Sequence, residues 1–242
     1  MNEIPILEIF GPTIQGEGMV IGKKTMFVRT AGCDYSCTWC DSKFTWDGSA
    51  TDEIVQMTAS EIWEKLKEVG GSAFSHVTIS GGNPALYKQL STLVDIFKKN
   101  EIEVALETQG SRWQDWFVHI DDLTISPKPP SSTMKTNFYI LDQIIDQLTD
   151  YDRINNVSLK VVIFNEEDLQ YAKKVTRRYR EIPLYLQVGN RYHSSLQTDR
   201  LTSQLIRSYE WLIRQTMDDD TLNDVRVLPQ LHTLVWGNKR GV

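Results

Sequence analysis

The chain holds three cysteines, Cys33, Cys37 and Cys40, and all of them fall in one C-x3-C-x2-C run. An odd count confined to one short segment makes no disulfide framework, so the run points to metal or redox chemistry. Thiolates are soft ligands that suit zinc and iron–sulfur clusters alike. A zinc site would draw its fourth ligand from His76, His119, His193 or His232. An iron–sulfur cluster normally has four cysteine ligands. Held by three, it would keep one iron open to an exogenous ligand, as catalytic zinc keeps an open position. Trp39, directly before the third cysteine, would shield such a cluster, and no histidine is near in sequence. Both features favour iron.

The other polar candidates sit where apolar, β-branched runs end. Such runs occupy residues 4–10, 25–30, 77–80, 104–108, 123–126, 158–164, 184–188 and 225–228. Between several of them the spacing is helical. Thr58-Ala59-Ser60-Glu61 is a capping-box pattern that opens a helix through about residue 69. Further helices are expected over 86–99, 138–148, 166–178 and 201–217. Strand–helix alternation implies a mostly parallel sheet in a single α/β domain spanning 1–242. Ligands of parallel α/β folds sit at the C-terminal ends of the strands. The loops at 80–84, 107–110, 126–130 and 187–190 should therefore crowd one face, together with the cysteine loop.

The net charge of −6 argues against a polyanion such as DNA or RNA as partner. Lys173, Lys174, Arg177 and Arg178 read as a solvated helix face. No apolar run approaches the roughly 18 residues a membrane span needs. The first residues lack the basic start and apolar stretch of a signal peptide, so a cytoplasmic protein is expected.

The cysteine run with its preceding aromatic resembles the radical S-adenosylmethionine superfamily. The resemblance implies that the open iron chelates the amino and carboxylate groups of S-adenosylmethionine. One electron then breaks a sulfur–carbon bond and releases a 5′-deoxyadenosyl radical. Gly81-Gly82-Asn83-Pro84 looks like the superfamily's glycine-rich turn, whose backbone meets the methionine amino group. Its common form has Glu where this chain has Asn83.

Within the superfamily, residues 8–18, 29–33, 40–42, 107–110 and 126–128 resemble the 7-carboxy-7-deazaguanine synthases. That resemblance implies a partial, distorted (β/α) barrel and a lyase of queuosine and 7-deazapurine biosynthesis. The reaction would contract the ring of 6-carboxy-5,6,7,8-tetrahydropterin to 7-carboxy-7-deazaguanine with loss of ammonia. Implied cofactors are a [4Fe–4S] cluster on Cys33, Cys37 and Cys40, S-adenosylmethionine, and Mg²⁺ on the hydroxyl of Ser42. A homodimer and a flavodoxin-like electron donor are implied as well.

By the same resemblance, Thr13, Ile14, Gln15, Glu17, Arg29, Ser80 and Val242 face the pterin. Trp39, Cys40, Asp41, Gly82, Glu107, Ser126, Pro127, Lys128 and Gln187 face S-adenosylmethionine. No acid or base is singled out. Two other readings compete: an activase that makes a glycyl radical on a partner protein, and a non-enzymatic zinc-binding module. The first needs a protein-docking surface, and the second predicts colourless protein that leaves S-adenosylmethionine intact.

Overall fold

The computed structural model describes residues 2–191 and 198–242, so His193 lies outside the described residues. The strands are β1 (Ile4–Ile14), β2 (Lys24–Thr30), β3 (Val55–Met57), β4 (His76–Gly81), β5 (Glu103–Thr108), β6 (Asp122–Ile125), β7 (Val157–Ile163), β8 (Leu184–Val188) and β9 (Arg226–Leu228). They form one sheet in the order β3-β1-β2-β4-β5-β6-β7-β8-β9. From β2 through β4 to β9 every neighbouring pair is parallel, while β1 runs antiparallel to both β2 and β3. The two ends of the order do not meet, and the expected partial barrel is what the chain forms.

The helices are α1 (Ala59–Gly70), α2 (Leu90–Lys99), α3 (Phe138–Asp150), α4 (Glu166–Arg178), α5 (Thr198–Met217) and α6 (Leu231–Trp236). The capping box forms as read: Glu61 N–H donates to Thr58 Oγ1, and Thr58 N–H donates back to Glu61 Oε2 at 2.7 Å. The helix expected from residue 86 instead starts at Leu90, because Pro84 opens a separate 3-10 turn over Pro84–Leu86. The short edge strand β3 and the terminal helix α6 were not expected. Each is too brief to show a period. Among the described residues, no helix is long and apolar enough to cross a membrane.

Both faces of the central strands are covered, and the period of two sorts their side chains. Val157, Leu159, Val161 and Ile163 of β7 join the apolar core, as do Val104 and Leu106 of β5 and Val77 and Ile79 of β4. The alternating residues Ser158, Lys160 and Val162, with Glu107 and Ser80, face the concave side. There Arg29 registers beside Ser80, and Glu107 beside Thr124.

The β1–β2 hairpin loop closes the floor of this concavity. Its 3-10 turn, Gly18–Val20, packs against β6, β7 and β8. Gly18 lies so close to β6 that an added Cβ would stand 3.3 Å from Thr124 Oγ1. The segment after β9 seals the same side, since Leu231 N–H donates to the carbonyl of Gly16 at 3.0 Å.

Candidate active site

The strand-end loops do crowd one face. A single cleft is lined by all three cysteines, Gly81 and Gly82 at the end of β4, Thr108 and Gln109 at the end of β5, and Ser126 and Lys128 after β6. Phe164 after β7, Gly189 and Asn190 after β8, and Gln230 and His232 after β9 complete the ring. The glycine-rich turn is pressed against the cysteine loop: a Cβ on Gly82 would stand 2.1 Å from the carbonyl oxygen of Gly32. Only glycine permits that approach.

The thiols of Cys33, Cys37 and Cys40 are free. Burial pushes the Cys37 thiol up to about 11; Lys128 opposes this, and the other two cysteines add to it. Burial also raises Cys33. Two of the three sulfurs have N–H donors beside them. Tyr35 N–H lies 3.4 Å and Gln109 Nε2 3.6 Å from Cys33 Sγ, and Trp46 Nε1 lies 3.5 Å from Cys40 Sγ. Three soft ligands without a fourth cysteine, and N–H donors aimed at the sulfurs, fit an iron–sulfur cluster with one open iron. Of the alternative zinc ligands, His76 is buried against Thr25 Oγ1 at 2.8 Å. His232 groups with Glu17 and Asp41.

The cysteine loop is anchored on its far side by the loop after β6. Thr38 Oγ1 donates to the Ser131 carbonyl at 2.9 Å, and Trp39 Nε1 donates to Ser131 Oγ at 3.0 Å. That loop is held in turn by the buried carboxylate of Asp168, which accepts from Ser131 N–H at 3.0 Å and Phe164 N–H at 2.9 Å. Trp39 thus meets Phe164, centroids 5.1 Å apart, and the Lys128 ammonium lies 5.9 Å from its ring centroid.

At the floor sits a buried ion triad. Lys160 Nζ lies 2.6 Å from Glu17 Oε2 and 3.2 Å from Glu107 Oε1, with only 5% of its side chain exposed. Burial alone would raise the Glu17 carboxyl, but Lys160 and His232, with hydrogen bonds from Lys160 and Gln230, hold it down at about 2. Burial works to lower Lys160, and the charges of Glu107 and Glu17 raise it above its ordinary value instead. Glu17 is therefore presented to the cleft ionised, with Glu107 on the other side of the Lys160 ammonium. Glu17, Asp41 and His232 each bring a ligand atom within 4.8 Å of the others. Ser42 Oγ donates to Asp41 Oδ1 at 3.1 Å, so oxygen donors suited to a hard cation gather beside the cysteines.

A family model described as the radical SAM superfamily matches residues 27–185. A 7-carboxy-7-deazaguanine synthase of Bacillus subtilis is 65% identical over 239 residues, which cover 99% of this chain and 98% of that one. One from Bacillus cereus is 60% identical over the whole of both chains. The chain belongs to the radical SAM superfamily, in its 7-carboxy-7-deazaguanine synthase family. Among solved structures, that of QueE from Escherichia coli superposes with a TM-score of 0.70 at 22% identity, covering 95% of each chain. The Streptococcus suis SuiB structure bound to S-adenosylmethionine gives 0.54 at 16% identity, over 84% of this chain and 49% of that one. Both likenesses are of fold. Family membership brings the [4Fe–4S] cluster and S-adenosylmethionine with it, and the cysteine loop fits both.

Of the residues singled out from the sequence of this radical SAM family member, Ile14, Gln15, Glu17, Arg29, Ser80, Val242, Trp39, Asp41, Ser42, Gly82, Glu107, Ser126 and Lys128 line the cleft with the cysteines. Thr13, Pro127 and Gln187 are not among its lining residues. Gln187 is wholly buried, and its Nε2 reaches the Leu228 carbonyl at 3.5 Å. Gln15 turns its side-chain oxygen onto its own loop, accepting from Gly16 and Glu17 N–H groups at 2.7 and 3.2 Å. Arg29 is paired through Nε with Glu8 at 2.7 Å and lies near the rings of Phe10 and Phe44. Sequence reasoning missed Lys160 altogether. The available signal was a lone charge within the apolar run 158–164, which a strand buried on both faces does not carry without partners.

Proposed function

We infer that this chain is a 7-carboxy-7-deazaguanine synthase, converting 6-carboxy-5,6,7,8-tetrahydropterin to 7-carboxy-7-deazaguanine with loss of ammonia. The observation that carries the reading is the 65% identity to a synthase of that name along 99% of this chain. When bound by Cys33, Cys37 and Cys40, the cluster with S-adenosylmethionine supplies the radical that takes hydrogen from the pterin.

The chain's own residues bind and orient. The backbone of Gly81 and Gly82, with Ser126 and Lys128, holds the methionine portion of the cofactor, and Trp39 walls its nucleoside. Glu17, kept ionised by Lys160, and Glu107, paired with the same ammonium, accept hydrogen bonds from the N–H edge of the pterin ring. Arg29 and Ser80 stand on the wall from which the substrate carboxylate is reached. Val242 closes the rim, its segment tied down where Arg240 donates to Glu8 at 2.8 Å and Glu53 at 2.9 Å. Ser42 and Asp41 are the ligands we assign to Mg²⁺, with the substrate carboxylate and water filling other positions. A homodimer, a flavodoxin-like reductant and a cytoplasmic site of action belong to the same reading.

The test is anaerobic. Reconstituted protein is given dithionite, S-adenosylmethionine, Mg²⁺ and 6-carboxytetrahydropterin, and products are followed by mass spectrometry. 7-Carboxy-7-deazaguanine should accumulate without stoichiometric consumption of S-adenosylmethionine. 5′-Deoxyadenosine without that product would keep the radical class and discard the substrate. Colourless, zinc-bearing protein that leaves S-adenosylmethionine intact would discard both.

A further inference from the structure

One buried amide joins three of the strand-end loops. Asn83 is fully buried. Its Oδ1 accepts from Thr108 Oγ1 at 2.8 Å and from Ala85 N–H at 3.2 Å. Its Nδ2 donates to Asp34 Oδ1 at 2.8 Å and to Ser111 Oγ at 3.0 Å. An amide has two donor hydrogens and two acceptor lone pairs, and here all four are used.

Asp34 directly follows Cys33 in the chain. The oxygen that takes the Asn83 hydrogen bond also takes one from Gln109 Nε2 at 2.6 Å, and that same nitrogen reaches Cys33 Sγ at 3.6 Å. Arg112 approaches the second carboxylate oxygen at 3.9 Å. The connection therefore runs Thr108–Asn83–Asp34–Gln109–Cys33, from the sheet to a sulfur.

We propose that Asn83 is a positioning residue for the Cys33 thiolate, locking Asp34 and through it the Gln109 N–H that points at the sulfur. The proposal rests on the reading of Cys33 as a cluster ligand. Only a side chain that is donor and acceptor at once fits position 83. A carboxylate there would still accept from Thr108 and Ala85, but it would face the Asp34 carboxylate at hydrogen-bond distance with no proton between them. Asp34 would swing away, and Gln109 would lose the partner that aims it. An acid at position 83 and an acid at position 34 are thus incompatible in this arrangement. N–H donors on cluster sulfurs tune the potential, and the groups that orient a metal ligand are worth about 10–100-fold in metal affinity.

The experiment uses wild type, N83D, D34A and the exchanged pair N83D/D34N, each reconstituted anaerobically. Iron per chain, the rate of iron loss to a chelator, and the midpoint potential from an EPR redox titration are compared. N83D should lose iron about 10–100-fold faster than wild type and be reduced at a lower potential. The exchanged pair should regain part of the iron retention but not the potential, because the residue-34 amide that donates to the residue-83 carboxylate turns a donor toward Gln109 Nε2, which is left without its acceptor. A merely structural role would return the potential together with the iron.

N83D with wild-type iron retention and potential overturns the proposal, as does an exchanged pair that regains the wild-type potential. Should N83D not fold, D34A alone removes the oxygen that both amides use, and wild-type values in that variant overturn the proposal too. A wild-type chain that takes up no iron overturns the cluster reading itself.

Discussion

Replacing Lys160 by methionine tests the electrostatics of the floor directly. The variant keeps most of the stem but deletes the charge that lies 2.6 Å from Glu17 and 3.2 Å from Glu107. Holding Glu17 at about 2 rather than its ordinary 4.5 corresponds to about 3 kcal/mol of preference for the charged form. Breaking a buried pair by removing one partner costs about 3–5 kcal/mol, so the two magnitudes agree.

The sign with pH follows. In the wild type the depressed carboxyl contributes stability that is present above 4.5 and lost as pH falls towards about 2. In K160M the uncompensated, buried carboxyl is raised above 4.5, so the folded variant binds more protons than the unfolded chain and gains stability as pH falls towards 5. Urea unfolding of the apo-protein should show K160M about 3 kcal/mol less stable at pH 7, with the gap narrowing at pH 5. Adding E17Q to K160M should restore about 1–2 kcal/mol, since one stranded charge is gone. A K160M variant within about 0.5 kcal/mol of wild type, with no pH-dependent gap, would refute the reasoning.

Gly82→Ala places a methyl 2.1 Å from the Gly32 carbonyl, so the turn and the cysteine loop must separate; S-adenosylmethionine affinity by equilibrium dialysis should fall at least tenfold. Ser42→Ala removes a hydroxyl beside Asp41 and should raise the Mg²⁺ concentration giving half-maximal turnover, while Ser42→Thr should leave it near wild type. Burial, with Lys23, pushes the His76 ring down from 6.5 to about 4, so the unfolded chain takes up its proton first as pH falls through that window. Stability is therefore lost between those values, and urea midpoints at pH 7 and pH 5 should differ less in His76→Gln than in wild type.

The parallel strands were legible because each is an apolar run punctuated by glycine, proline or polar residues at its C-terminal end. The face they share followed from the rule that such ends gather ligands. The thiol ligands were legible because they are local: three cysteines at fixed spacing on one loop need no tertiary information. The same holds for the α1 cap, where Thr58 and Glu61 are three residues apart and complete each other. Arg29 and Glu107 were candidates only through resemblance, and their partners were invisible. Glu8 reaches Arg29 across the antiparallel pair, and Lys160 reaches Glu107 from the neighbour of a neighbouring strand.

What sequence could not supply was the floor. In a parallel sheet the strand ends define the rim, and nothing in their periodicity says what fills the concavity beneath. Here the filling comes from the β1–β2 loop, which local chemistry reads as a flexible glycine-bearing turn. Its own hydrogen bonds rigidify it: Gln15 N–H donates to the Lys23 carbonyl at 2.9 Å, and Gly22 N–H donates to that of Gln15 at 2.8 Å. Gln15 Oε1 caps the next two amides, and the loop carries Glu17 up to Lys160, 143 residues away in sequence. Gln230 then donates to Glu17 Oε1 at 2.7 Å from the other end of the chain. A glutamate so enclosed is ionised only because two distant segments, β7 and the stretch after β9, converge on it. The charge at the floor of the cleft is therefore a product of the fold rather than of any motif.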